Sequence, residues 1–105
     1  MSDEFLAYVC PADLHDGTVL AVEHRGADAT VRVRGADAKE YRLLFRGVCA
    51  LRAHRAEGMM LYAVAELRSD GPARRFVFSN WEESDDARLE IDAREMHVEP
   101  IASAG

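Results

Sequence analysis

The chain has 105 residues, 13 Lys and Arg against 19 Asp and Glu for a formal net charge of −6, and is 49% hydrophobic and 30% charged. That length suits one domain around one core, and the composition is globular, not disordered. The acidic balance argues against nucleic acid or an anionic membrane surface as partner, since both are held by basic residues set against phosphate.

At the N-terminus, Phe5, Leu6 and Val9 follow Ser2-Asp3-Glu4 at helical spacing, and Ser2 is a suitable cap. A short helix is expected there, limited by Pro11, so that residues 1–13 form a helix and loop. No apolar run approaches the ~18 residues of a membrane span, and residues 1–10 lack the basic start of a secretory signal. The expected address is therefore cytoplasmic. Cys10 and Cys49 are too few and too far apart for a disulfide framework or zinc knuckle, and both are expected reduced and buried.

From residue 18 onward the hydrophobic period is two, the mark of half-buried strands. Strands are expected at 18–24 (TVLAVEH), 30–34 (TVRVR), 40–46 (EYRLLFR), 48–54, 59–68, 74–79, 88–94 and 96–100, with 101–105 as a frayed tail. Residues 59–68 (MMLYAVAELR) are apolar on both faces, which places them centrally or under cover on both sides. Gly47 interrupts two strands as a bulge would, and Ser69-Asp70-Gly71-Pro72 reads as a turn. The echo of RGADA at 25–29 and 34–38 puts the same turn chemistry at both ends of TVRVR. Two copies around one strand imply a three-stranded antiparallel meander over 18–46. The fold class expected is mainly β: a small antiparallel barrel or sandwich of seven or eight strands with a short N-terminal helix. Its core is assigned to Leu20, Val22, Val31, Val33, Leu43, Phe45, Leu51, Leu61, Val64, Phe76, Phe78, Leu89, Ile91 and Val98.

Chemistry concentrates in three places. His15 and Asp16 set an imidazole beside a carboxylate, a pair able to act as acid, base or metal ligand, or simply to close a turn. The His-Asp dipeptide also belongs to a helical class of metal-dependent phosphohydrolases, which this short β-patterned chain does not fit. Arg32, Arg34, Arg42 and Arg46 fall on one strand face. They would hold a carboxylate or phosphate by bidentate pairing, unless Glu40, Glu90 and Asp92 neutralise them. Trp81 precedes the acidic run Glu82, Glu83, Ser84, Asp85 and Asp86, a combination that reads either as a partner anchor or as a core cap beside a solvated loop. His24, His54 and His97 lack the i, i+2 or i, i+4 spacing of paired ligands, so no metal is expected. Cofactors and a catalytic constellation are likewise not expected: the glycines are scattered singly, and no serine or cysteine sits in a nucleophile elbow.

Leu14-His15-Asp16-x-x-Val19, followed by alternating strands and Leu44-Phe45-x-x-Val48, resembles the opening of small uncharacterised bacterial β-protein families. Some of those are similar to immunity proteins encoded beside polymorphic toxins. The resemblance covers residues 14–48 and implies a stand-alone bacterial module that works by binding. Three functions are thus expected in order: a non-catalytic interaction module that neutralises a basic protein partner such as a toxin; a ligand-binding or hydrolytic barrel using His15 and Asp16 with His54 or His97; and a homodimer assembled through C-terminal strands.

Overall fold

The computed structural model describes residues 16–36, 38–67, 73–80 and 86–101, and the main chain of 5–8. Nine strands run in chain order: β1 (Phe5–Tyr8), β2 (Gly17–Arg25), β3 (Asp28–Arg34), β4 (Glu40–Arg46), β5 (Ala50–His54), β6 (Met60–Leu67), β7 (Arg74–Asn80), β8 (Arg88–Ala93) and β9 (Glu95–Pro100). All pairings are antiparallel within one sheet, in the order β5-β8-β7-β6-β2-β3-β4-β9, with β1 attached to β6. The path is open, with β5 and β9 as its ends. The meander β2-β3-β4 is present as expected.

The expected N-terminal helix is corrected. Phe5–Tyr8 is a strand whose partners are Leu67, Glu66 and Ala65 of β6. On that edge β6 meets β2 only at Met60 and Leu61, so the remaining main-chain groups need another partner. A short isolated helix is marginal in water, and a ladder on a free edge satisfies both segments at once. This strand is the ninth, against seven or eight expected.

Two bends fold the sheet over. β4 continues into β5 through Gly47, and β8 into β9 through Arg94. The bends face each other, since Arg94 N–H donates to Arg46 O at 2.9 Å and Cys49 N–H to Asp92 O at 2.8 Å. Gly47 has φ +67°, and a Cβ there would lie 3.0 Å from Arg94 Cβ. Only glycine meets both conditions without displacement. Past the bends, the inner faces of β2-β3-β4 and of β8-β7-β6 share one core. Phe45 of β4 packs edge-on against Phe76 of β7 at 5.4 Å between centroids and meets Phe78 at 6.0 Å. Val19, Val31, Val33, Leu43, Leu61, Val64, Leu89 and Ile91 fill the space around the rings.

Most of the expected core is buried, and Val22, Leu51 and Val98 are half-buried against it. Leu20 is the exception. The β2–β3 register shifts between Val19 and Ala21, so an extra residue at Leu20 breaks the alternation and turns Val19 and Val22 inward together. Cys49 is also corrected: it is exposed, because the bend carries it out of strand alternation. Cys10 and the turn at 69–72 lie outside the described residues. The expectation that β6 is covered on both faces holds only for Ala63, Val64 and Ala65, which are consecutively buried past the register shift between Leu61 and Ala63; before it the strand alternates, with Leu61 buried and Met60 and Tyr62 exposed.

The two RGADA copies make different turns. The first closes a two-residue hairpin, Arg25 opposite Asp28, with Gly26 at φ +58°. In the second, Gly35 joins the ladder: its N–H donates to Lys39 O, Ala38 N–H donates back to Gly35 O, and Ala38 carries φ +66°. That left-handed position is normally glycine's. Ala38→Gly is expected to raise stability by about 0.5 kcal/mol, relief of strain outweighing the added chain entropy, and a urea titration reads it.

At one end of the core Glu66 and Arg74 form a bidentate pair, Nε to Oε2 at 2.9 Å and Nη2 to Oε1 at 2.8 Å, with Arg74 5.0 Å from the Phe76 centroid. The hydrogen bond from Arg74 holds the Glu66 carboxyl below its ordinary range, and the same bond raises Arg74. A depressed acid contributes stability above its unfolded pKa and loses it as pH falls through the folded one. Glu66→Gln is therefore expected to flatten the fall in melting temperature below about pH 5. An unchanged acid profile would show the pair to be neutral in energy.

Candidate binding groove

The end of β2 and the edge strand β5 diverge around a groove of about 670 Å³, lined by Val22, His24, Leu51, Ala53, Arg55, Ala56 and Glu57. Val22, Leu51, Ala53 and Ala56 give it an apolar floor. His24, Arg55 and Glu57 supply three polar groups on its rim. The strand alternation explains this composition, because Val22 and His24 lie on the inner face of β2 while Leu51 and Ala53 lie on the inner face of β5, opposite Ile91 and Leu89.

The main chain along this groove is only partly paired. Gly17 and Thr18 pair with Leu61 and Met60, and Val19 exchanges hydrogen bonds with Met59 and Gly58 at 2.9 and 2.7 Å. Beyond the Leu20 bulge the backbone ladder on that side stops. The next outward N–H, that of Val22, donates to a side chain, Glu57 Oε2 at 3.2 Å. Alternation along an antiparallel strand then directs the N–H and C=O of His24 to the same side. The His24 ring contacts Gly26 O through Nε2 at 3.0 Å. On the far bank β5 pairs, among the described residues, with β8 alone. The groove is thus bordered by two strand edges free of further strands among the described residues.

The loop joining β5 to β6 forms one end of the groove. Arg55 has φ +51°, an unfavourable left-handed conformation for a residue with a long side chain. Its guanidinium reaches Asp86 at 2.8 Å, and His54 Nε2 meets the same carboxylate at 3.1 Å. The His54 hydrogen bond, then the Arg55 charge, depress the Asp86 carboxyl. This exposed cluster ties the end of β5 to the start of β8.

Of the residues singled out from sequence, His15, Trp81, Glu82, Glu83 and Asp85 lie outside the described ones. Asp16 is exposed at φ +64° immediately before β2, a position suited to a turn. Asp86 belongs to the His54 and Arg55 cluster. Arg32, Arg34, Arg42 and Arg46 share the outer face of β3 and β4 but do not form a bare basic patch. Arg32 lies directly opposite Arg42, whereas Arg34 faces Glu40, and Arg46 faces Asp28 and Glu95. Glu40 approaches Arg32 Nε at 3.5 Å and Glu99 meets Arg42 Nη1 at 2.9 Å. Neutralisation by Glu40 therefore holds. Glu90 and Asp92 act elsewhere: the largely buried Asp92 accepts from Arg75 Nε at 3.1 Å and Arg52 at 3.4 Å, and Glu90 meets Arg52.

His54 and His97 are both outside the groove lining, His97 lying 3.8 Å from Glu95 on the outer side of β9. Among the described residues no group of three or more His, Cys, Asp or Glu is arranged to hold a metal ion, and no helix is long and apolar enough to cross a membrane. No sequence signal marks the groove. Val22 and Leu51 read from their alternation as core, and His24, Ala53, Arg55, Ala56 and Glu57 belong to no motif. No protein-family model, curated protein or solved structure matches the chain.

Proposed function

We propose that the chain is a non-catalytic binding module whose groove between β2 and β5 receives part of a protein partner. The observation that carries this reading is the combination of an apolar floor with two strand edges that no further strand covers among the described residues. Apolar contact gives such a site its affinity, and the polar rim sets orientation. The net charge of −6 favours a basic partner by steering its approach. Neutralisation of a toxin in the bacterial cytoplasm is the concrete form of this proposal, with the folded sheet acting as a small sandwich open at one mouth.

Assembly through β9 is the weaker reading. Two copies pairing antiparallel about His97 would set Glu95 against Glu99, and Pro100 ends the strand. Like charges and proline guard an edge against self-pairing. A small ligand remains the second reading of the groove, since its volume falls within the ~300–1,000 Å³ of small-molecule sites.

Capture from a source-cell extract tests the proposal. The wild type and an outer-face variant, Arg32→Glu with Arg42→Glu, are expected to retain the same partner. Leu51→Arg with Ala53→Arg is expected to lose it while still melting cooperatively. Retention of the partner by that folded groove variant would contradict the reading; thermal stabilisation by a small metabolite in place of any protein capture would favour the second one.

A further inference from the structure

The carboxylate of Glu57 stands where a neighbouring strand would place a carbonyl. It accepts the outward N–H of Val22 at 3.2 Å, at the point where backbone pairing along β2 gives out. We infer that the Val22–His24 edge accepts an extended segment of the partner as an added strand, with Glu57 holding the first donor until the segment's carbonyl replaces it. This deepens the binding reading and rests on it.

The mode follows from what the edge offers. The N–H and C=O groups of Val22 and His24 point away from β3, which gives four main-chain positions spaced for a strand of four or five residues. Addition of a strand to such an edge draws affinity from main-chain hydrogen bonds and specificity from alternate side chains. The two faces of β2 differ here. Inward, the added residues meet the floor of Val22, Leu51, Ala53 and Ala56. Outward, they lie beside exposed Glu23, and Glu57 is released nearby at the rim. The segment that fits alternates apolar and basic residues, which also matches the charge of −6.

β9, the sheet's other exposed end, is a poorer acceptor for the same segment. Its outward acids are partly spent, Glu99 on Arg42 and Glu95 beside His97. β5 borders the groove, but Arg55 follows its last residue, His54, on the groove rim and Arg52 lies on its outer face, so a basic strand laid along that bank meets like charge.

The test uses the isotopically labelled full chain and a synthetic heptapeptide of alternating Val and Arg. Two control peptides carry N-methyl groups on one or the other alternate set of residues, which removes main-chain donors from one edge and keeps every side chain. The expected result is a set of amide shifts centred on Val22 and His24, at least tenfold slower hydrogen exchange at the His24 amide, and at least tenfold weaker binding of one methylated peptide only. Shifts confined to the Leu51 and Ala53 methyls, without protection of His24, would overturn strand addition and leave groove binding intact. Equal binding of all three peptides would assign the effect to charge alone and overturn it as well. No shift at the groove with millimolar peptide would also overturn it, while the capture experiment decides separately whether the groove binds a partner.

Discussion

Replacing Phe45 with Ala is expected to cost about 3–5 kcal/mol, a large share of the ~5–15 kcal/mol that holds an ordinary domain together. Phe45 is fully buried on β4, yet its ring contacts Phe76 and Phe78 of β7. In the hydrogen-bonded order β6, β2 and β3 separate those two strands. The ring therefore joins parts of the sheet that its ladder keeps apart. Truncation would leave a void lined by Phe76, Phe78 and their neighbours, which a rigid pair of strands cannot collapse to fill. Urea unfolding should show a lower midpoint at an unchanged slope. A loss below about 1 kcal/mol would mean that the two inner faces are not packed as described.

Gly47→Ala is expected to cost about 2–4 kcal/mol, and Gly26→Ala only about 1–2. Both glycines have positive φ, +67° and +58°, so both variants carry the left-handed penalty. They differ in surroundings: a Cβ at Gly47 would lie 3.0 Å from Arg94 Cβ, whereas nothing stands within 4 Å at Gly26. The gap between the two variants isolates the close approach of the paired bends. Since those bends swing β5 away from β3, Gly47→Ala should also disturb the groove. Broadened resonances at Leu51 and Ala53 are expected in that variant and not in Gly26→Ala. Equal losses in the two variants would remove the bend contact from the account.

Strand identity was legible where side-chain period was undisturbed. Glu40–Arg46 alternates cleanly and forms β4 with the expected ends, and the repeated RGADA marked both hairpins of the meander. The failures have local causes. The bulge at Leu20 reverses inward and outward positions without any residue that announces it. Phe5–Tyr8 carries helical spacing, but a distant free edge on β6 decides its conformation. The second RGADA puts an alanine, not its glycine, in the left-handed position. The candidate site was less legible still. Arginines 32 and 42 share a face as their alternation requires, but Glu99, which partners Arg42, lies 57 residues away. The groove depends on residues near 22, 52 and 56 meeting after the sheet bends, and much of what it offers is main chain, which has no sequence signature.

A partner that enters the groove between β2 and β5 can be trapped there covalently. Site-specific photo-crosslinking tests this entry most directly, with a benzophenone side chain placed at Ala53 on the groove floor or at Arg34 on the outer face of β3. One discrete adduct with the captured partner is expected from position 53, none from position 34, and the adduct should be lost when excess unlabelled protein competes. Adducts from position 34 with none from 53 would contradict entry into the groove and place recognition on the arginine-bearing face.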